Sequence, residues 1–221
     1  MTTRDPLRWH VVVPVKARSA SKTRLSPDER RPRLALAFAV DTMEAVTACP
    51  VVDSLVVVTE DREVAEAARA VGATVVTELD DPAVTGFARL NAALRYGVEQ
   101  AELAAHPVAA LTADLPALQP EELTRALRAA AAHPRAFVPD HEGTGTSMLT
   151  AVRGRALAPE FGTASAAAHE RSGAVRLDLL DVPGLRLDVD WQHDLLAVRG
   201  LRCGRATRAV LDVDIDAEKS E

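Results

Sequence analysis

Seven basic side chains, Lys16, Arg18, Lys22, Arg24, Arg30, Arg31 and Arg33, lie within eighteen positions, opposed only by Asp28 and Glu29. This local charge of +5 stands out in a chain whose net charge is −6. Such a run suits a polyanion. Its first half, "VPVKARSASKTRLSP", leaves an apolar stretch and contains no glycine, so it is neither a Walker loop nor a dinucleotide fingerprint. Backbone N–H groups, ammonium groups and a following helix N-terminus could together wrap a phosphate chain. A solvated charged loop is the alternative for these residues alone. Aromatic residues make up only 3% of the chain, which disfavours base-stacking platforms, and an acidic protein is a poor general nucleic-acid binder. A small anionic ligand is the expectation.

Three carboxylates could answer that charge with a cation. Asp114 in "LTADLPAL" follows an apolar run directly, where a hard ion such as Mg²⁺ accepts one or two carboxylates plus substrate phosphates. A turn-forming Asp before Leu115-Pro116 is the competing reading. In "LRLDVDWQHDL", Asp188 and Asp190 are two apart and share one face of an extended segment, with Leu187 and Val189 on the other. Asp190 could also serve only as a helix N-cap, and Asp194 reads as a solvated helix charge. His10, His106, His133, His141 and His193 show no ligand spacing and read as surface or helix-end residues. No Ser-His-Asp or Cys-His arrangement follows from spacing.

The elements that must carry these residues alternate. Residues 9–15 read as a buried strand, and Ser26-Pro27-Asp28-Glu29 as a capped helix start, with the helix running to about Ala48. "SLVVVTED", "ATVVT", "PVAALTAD", "RAFVPD" and "SMLTAVRG" read as further strands, with two more near 175–180 and 185–189. Helices are expected over about 62–71, 90–104, 120–133 and 164–171, and from about Trp191 onward. Gly72 is placed to end the helix over 62–71. The β-α alternation predicts an α/β fold with a mostly parallel sheet flanked by helices. Residues 1–8 read as an N-terminal extension, 9–207 as one domain and 208–221 as an acidic, disordered tail.

The 48% hydrophobic content supports a sizeable core. Cys49 and Cys203 form no metal spacing and suit reduced thiols. The opening "MTTRDPLRWH" lacks an apolar leader, and no run is long enough to span a bilayer. The expected setting is cytoplasmic, without membrane or nucleic-acid partners.

In order, "VPVK…SKTRLSP", "LTADLPAL", "DHEGTGTSML", "FGTASAAAHERSGA" and "LRLDVD" resemble the guanylyltransferases of coenzyme F-420 biosynthesis, whose members act on phosphoenolpyruvate or 2-phospho-L-lactate. The similarity runs from about Val11 to Leu201. It implies a single-domain, nucleotide-diphospho-sugar-transferase-like (Rossmann-like) fold, with attack of a phosphorylated three-carbon acid on the α-phosphorus of GTP and release of pyrophosphate. Carried over by motif, Lys16, Lys22 and Arg24 belong to the nucleotide-phosphate loop, and Lys16, Lys22 and Asp114 are catalytic. Asp114, Asp188 and Asp190 form the Mg²⁺ group. Thr146, Gly162 and Ser165 hold the phosphoacid, and Asn91 matches a position near the nucleotide. The chain departs from the family in Thr163, where a proline usually follows the Gly of "FG". The Ala/Arg-rich composition resembles that of a high-GC actinobacterium, which favours phosphoenolpyruvate over 2-phospho-L-lactate or 3-phosphoglycerate. The implied product passes to a downstream transferase of F-420 biosynthesis. The non-enzyme alternative is a nucleotide-binding domain that has lost its chemistry.

Overall fold

The computed structural model describes residues 7–16, 30–77, 83–190 and 192–218. Lys22, Arg24 and the expected helix start at 26–29 lie outside them. Seven strands, β1 (Trp9–Pro14), β2 (Val52–Thr59), β3 (Thr74–Thr77), β4 (Val108–Leu111), β5 (Arg135–Pro139), β6 (Thr146–Ala151) and β7 (Val175–Arg176), form one sheet among these residues. Their order is β3-β2-β1-β4-β6-β5-β7, and only β6 runs against its neighbours. The helices are α1 (Arg30–Thr47), α2 (Arg62–Ala70), α3 (Gly86–Gln100), α4 (Pro120–Ala130), α5 (Ser165–Arg171), α6 (Pro183–Arg186), α7 (Gln192–Gly200) and α8 (Arg205–Glu218).

The apolar runs are continuous because both faces of the sheet are covered. Val11 and Val13 of β1 face Met43 and Val46 of α1, Val64 of α2, and Leu123 and Leu127 of α4. Val12 faces the other way, into a cluster with Val56 and Val58 of β2, Leu94 of α3 and Ala166 of α5. Local chemistry sets several boundaries. Asp61 caps α2 by accepting hydrogen bonds from the Glu63 and Val64 N–H groups at 3.0 and 3.3 Å. Pro120 opens α4, where Gln119 and Glu122 close a capping box.

Four expectations differ from the structure. The third helix begins at Gly86 rather than Leu90, since Gly86, with φ +60°, is a weak helix former that spacing alone does not place inside a helix. The strand expected at 175–180 is only β7. The strand expected at 185–189 is instead the short α6 followed by an extended segment outside the sheet. Its Val189 N–H makes one bond to the Asp114 carbonyl, 3.1 Å, rather than a ladder. Finally, the acidic C-terminus is helical as far as Glu218: α8 docks on α1, with Leu211 buried against Leu34 and Phe38. Asp41 of α1 caps α8 from outside, accepting from Ala206 N–H at 2.9 Å and Thr207 N–H at 2.8 Å. The acidic residues of that segment mask its apolar stripe in the sequence.

Close packing between α3 and the sheet depends on Gly97. A Cβ there would stand 2.6 Å from Val58 Cγ2 and 2.9 Å from Val12 Cγ1, both on stiff β-branched side chains. We expect Gly97→Ala to lower stability by about 1–2 kcal/mol in urea unfolding, because overpacking outweighs the roughly 1 kcal/mol helix-propensity gain. A more stable variant would show that α3 is not seated this tightly.

Candidate active site

A cleft of about 700 Å³ opens at the carboxyl ends of β1 and β4, the edge where open α/β sheets bind ligands. It gathers residues from distant parts of the chain. Val15 and Lys16 follow β1, Thr112 to Asp114 follow β4, and Thr144 to Thr146 lead into β6. Gly162 to Ser165 open α5, and Asp188 and Asp190 come from the segment after α6. Lys16, Asp114, Thr146, Gly162, Ser165, Asp188 and Asp190, all singled out from the sequence, therefore line one cavity.

Each is held by specific bonds. Thr42 of α1 donates to Phe38 O at 2.8 Å and accepts from Leu115 N–H at 3.1 Å, tying the Asp114 turn to that helix. The Val189–Asp114 backbone bond then sets the Asp188 segment beside that turn. Leu187 and Val189 anchor the segment in the cluster with Leu34 and Phe38, which leaves Asp188 and Asp190 on the opposite face, as the spacing predicts. Behind it, buried Glu122 of α4 accepts from Gly184 N–H at 3.1 Å. Arg186 donates to the Pro139 and Asp140 carbonyls at 3.2 and 2.9 Å.

The carboxylates perturb one another. Burial, then Asp114, Asp190 and Asp140, push the Asp188 carboxyl up to about 8. Among the described residues, no three His, Cys, Asp or Glu side chains are arranged to enclose one ion. The trio expected from the sequence thus does not form a closed cage, and Asp190 is exposed. Asp194, expected to be a solvated charge, is buried at 3% exposure and accepts from Asp190 N–H at 2.9 Å. His141, at the surface as expected, lies 3.7 Å from Asp188 Oδ1.

The opposite wall is built from neutral donors. Asp140, which spacing did not single out, accepts from Thr144 and Gly145 N–H groups at 3.0 and 2.8 Å and so shapes the loop before Thr146. An Asp at a strand end shortly before two glycines was the available signal. Gly162, at φ +148°, packs against the Phe87 ring, so a side chain there would be both strained and obstructed. Thr146 Oγ1 lies 2.9 Å from His169 Nδ1 and 3.2 Å from Ser165 Oγ. Asn91 is not among the lining residues. Its amide donates to Phe161 O at 2.9 Å and accepts from Phe161 N–H at 2.8 Å, steadying the loop that carries Gly162.

Similarity to known proteins agrees with this arrangement. The family described as "Guanylyl transferase CofC like" matches residues 9–212. A phosphoenolpyruvate guanylyltransferase of Streptomyces scabiei is 50% identical over 92% of this chain and 95% of its own length. One from Streptomyces coelicolor is 49% identical over 92% and 96%. Among solved structures, a protein from Desulfovibrio desulfuricans assigned as a nucleotide-diphospho-sugar transferase superposes with a TM-score of 0.65 at 15% identity, covering 95% of this chain and 96% of that one. A nucleotidyl transferase from Methanothermobacter thermautotroptrophicus gives 0.61 at 20% identity, covering 87% and 96%. The structural likenesses establish a nucleotide-diphospho-sugar-transferase-like fold. With half its residues identical to curated guanylyltransferases over nearly the whole length of both, this chain belongs to the CofC-like guanylyl transferase family.

Proposed function

We propose that the protein joins GTP to phosphoenolpyruvate with release of pyrophosphate, a step of coenzyme F-420 biosynthesis. The observation that carries this reading is the cleft itself, where Lys16 and the carboxylates meet a wall of neutral donors, in a chain half identical to phosphoenolpyruvate guanylyltransferases. The substrate phosphate is ionised at neutral pH and can attack the α-phosphorus of GTP in line, so no general base is required. Lys16, with Lys22 and Arg24 of the loop beyond the described residues, would neutralise the triphosphate and the departing pyrophosphate. Thr146 and the backbone around Gly162 would hold the acid, Ser165 would act through Thr146, to which its hydroxyl donates, and Asn91 would act through the Phe161 loop. The GMP-bearing product suits a downstream transferase. Among the described residues no helix is long and apolar enough to cross a membrane, and we place the reaction in the cytoplasm.

The residues fit a divalent cation such as Mg²⁺. Burial, then the neighbouring carboxylates, raise the Asp188 pKa while the backbone holds it beside Asp114, and two carboxylates plus phosphate oxygens make an ordinary hard-ion donor set. Asp114 and Asp188 would be the main protein ligands, with exposed Asp190 at the rim. When bound, Mg²⁺ would supply charge neutralisation at the transferring phosphoryl group.

Purified protein with GTP and Mg²⁺ should release pyrophosphate with phosphoenolpyruvate, and more slowly with 2-phospho-L-lactate or 3-phosphoglycerate. Release with none of the three would favour a nucleotide-binding domain without chemistry. Asp188→Asn should reduce turnover roughly a hundredfold or more.

The same substitution should act oppositely on the cation-free fold. The Asp188 carboxyl keeps its proton in the folded state between its ordinary 3.8 and about 8. Stability is therefore lost as pH rises through that window. In chelator, the stability of Asp188→Asn relative to the parent should rise by about 1–3 kcal/mol between pH 5 and pH 8.5. A pH-independent difference in denaturant melts would refute the raised Asp188 pKa.

A further inference from the structure

Behind the wall of neutral donors lies a buried polar chain that the mechanism above leaves unused. His169, on α5, is fully buried, with its ring between Phe137 and Phe161 at centroid distances of 5.7 and 5.3 Å. Ser165 stands one helical turn before it, so both side chains share a face of the helix. The Glu160 backbone N–H points at His169 Nε2, 3.0 Å away. A backbone N–H can only donate, so Nε2 must present its lone pair, and the ring proton resides on Nδ1. Nδ1–H therefore donates to Thr146 Oγ1 at 2.9 Å. Ser165 Oγ donates to the same oxygen at 3.2 Å. Both lone pairs of Thr146 are then occupied, and the proton left to give is its own.

We propose that His169 is a positioning residue: its Nδ1–H tautomer, locked by the Glu160 N–H, orients Thr146 as an obligate hydrogen-bond donor to an oxyanion of the acid substrate. The proposal rests on Thr146 lining the acid pocket, as read above. A pocket beside Asp114 and Asp188 must attract an anion without placing a further cation against them. A neutral donor chain does this and also discriminates. A ligand group that must itself donate finds no acceptor on Thr146, and a buried unpaired donor is costly. Burial, with the Arg135 charge adding to it, lowers the His169 pKa to about 4, so the ring stays neutral through the physiological range.

The two ring nitrogens can be tested separately, because Asn places an amide near the Nδ1 position and Gln near that of Nε2. His169→Gln keeps an acceptor for the Glu160 N–H but removes the donor to Thr146. It should raise the KM for phosphoenolpyruvate about tenfold while the GTP KM stays within about twofold. His169→Asn restores the donor and should bring the phosphoenolpyruvate KM back to within about threefold of the parent. Combined with Thr146→Val, His169→Gln should add nothing further, because the donor it would orient is already gone. If Asn is worse than Gln, or if both KM values rise together, His169 is merely an anchor for the 160–161 loop and the proposal falls. A silent His169→Gln beside a damaging Thr146→Val removes the proposal but leaves the acid pocket standing. A silent Thr146→Val removes both. Without any substitution, nitrogen NMR of the full chain should show the His169 proton on Nδ1 at pH 7, and a proton on Nε2 would overturn the assignment.

Discussion

Like-charged oxygens gathered at one edge of a sheet repel each other, and much of the chain's final third serves to hold them there. Asp188 is the clearest case: burial and three neighbouring acids raise its pKa to about 8. It stays beside Asp114 because its own segment cannot move away. Leu187 and Val189 are buried beneath it. The Val189 N–H is bonded to the Asp114 carbonyl, while Glu122 and Arg186 brace the preceding turn. The apolar anchoring offsets the electrostatic cost of an arrangement that a bound cation would relieve.

The same anchoring explains why the C-terminal helices belong to the domain rather than trailing from it. Phe38 and Leu34 of α1 pack on Leu187 and Val189 from one direction and on Leu211 of α8 from another. Thr42, one turn after Phe38, fixes the Asp114 turn, and Asp41 caps α8. Three consecutive turns of α1 thus connect the sheet edge, the carboxylates and the C-terminal helix. Displacing α8 would loosen the helix that positions Asp114.

The cleft has two chemically distinct sides. The one nearer β1 and β4 carries Lys16 and the carboxylates, where charges must be matched by charges. The one nearer β6 and α5 uses hydroxyls, backbone N–H groups and a neutral imidazole, arranged through hydrogen bonds with defined direction. Charge neutralisation tolerates motion, whereas directional donors do not. The second side is tied through Asp140 to its loop and through Asn91 to Phe161.

Patterns that depend on near neighbours were legible in the sequence. Continuous β-branched runs marked the central strands because both of their faces are covered. The two-residue spacing of Asp188 and Asp190 placed them on one face even though their segment joins no ladder, since alternation needs only an extended backbone. Asp114 was visible as a residue at a strand end, whereas Thr146, Gly162 and Ser165 came from the family resemblance. What the tertiary structure alone decided was which groups share a proton or a charge. Asp194 read as a surface acid yet is buried holding the Asp190 N–H, and the acidic C-terminus read as a tail yet packs as α8. Asn91, which the family resemblance puts near the nucleotide, bonds to the Phe161 backbone 70 residues away, a contact that spacing could not show. His169 carried no signal, because its partners lie 9 and 23 residues away and spacing cannot show which nitrogen meets which. Periodicity is a property of the chain's own geometry, whereas a hydrogen-bond partner or a shifted pKa depends on elements that only folding brings into contact.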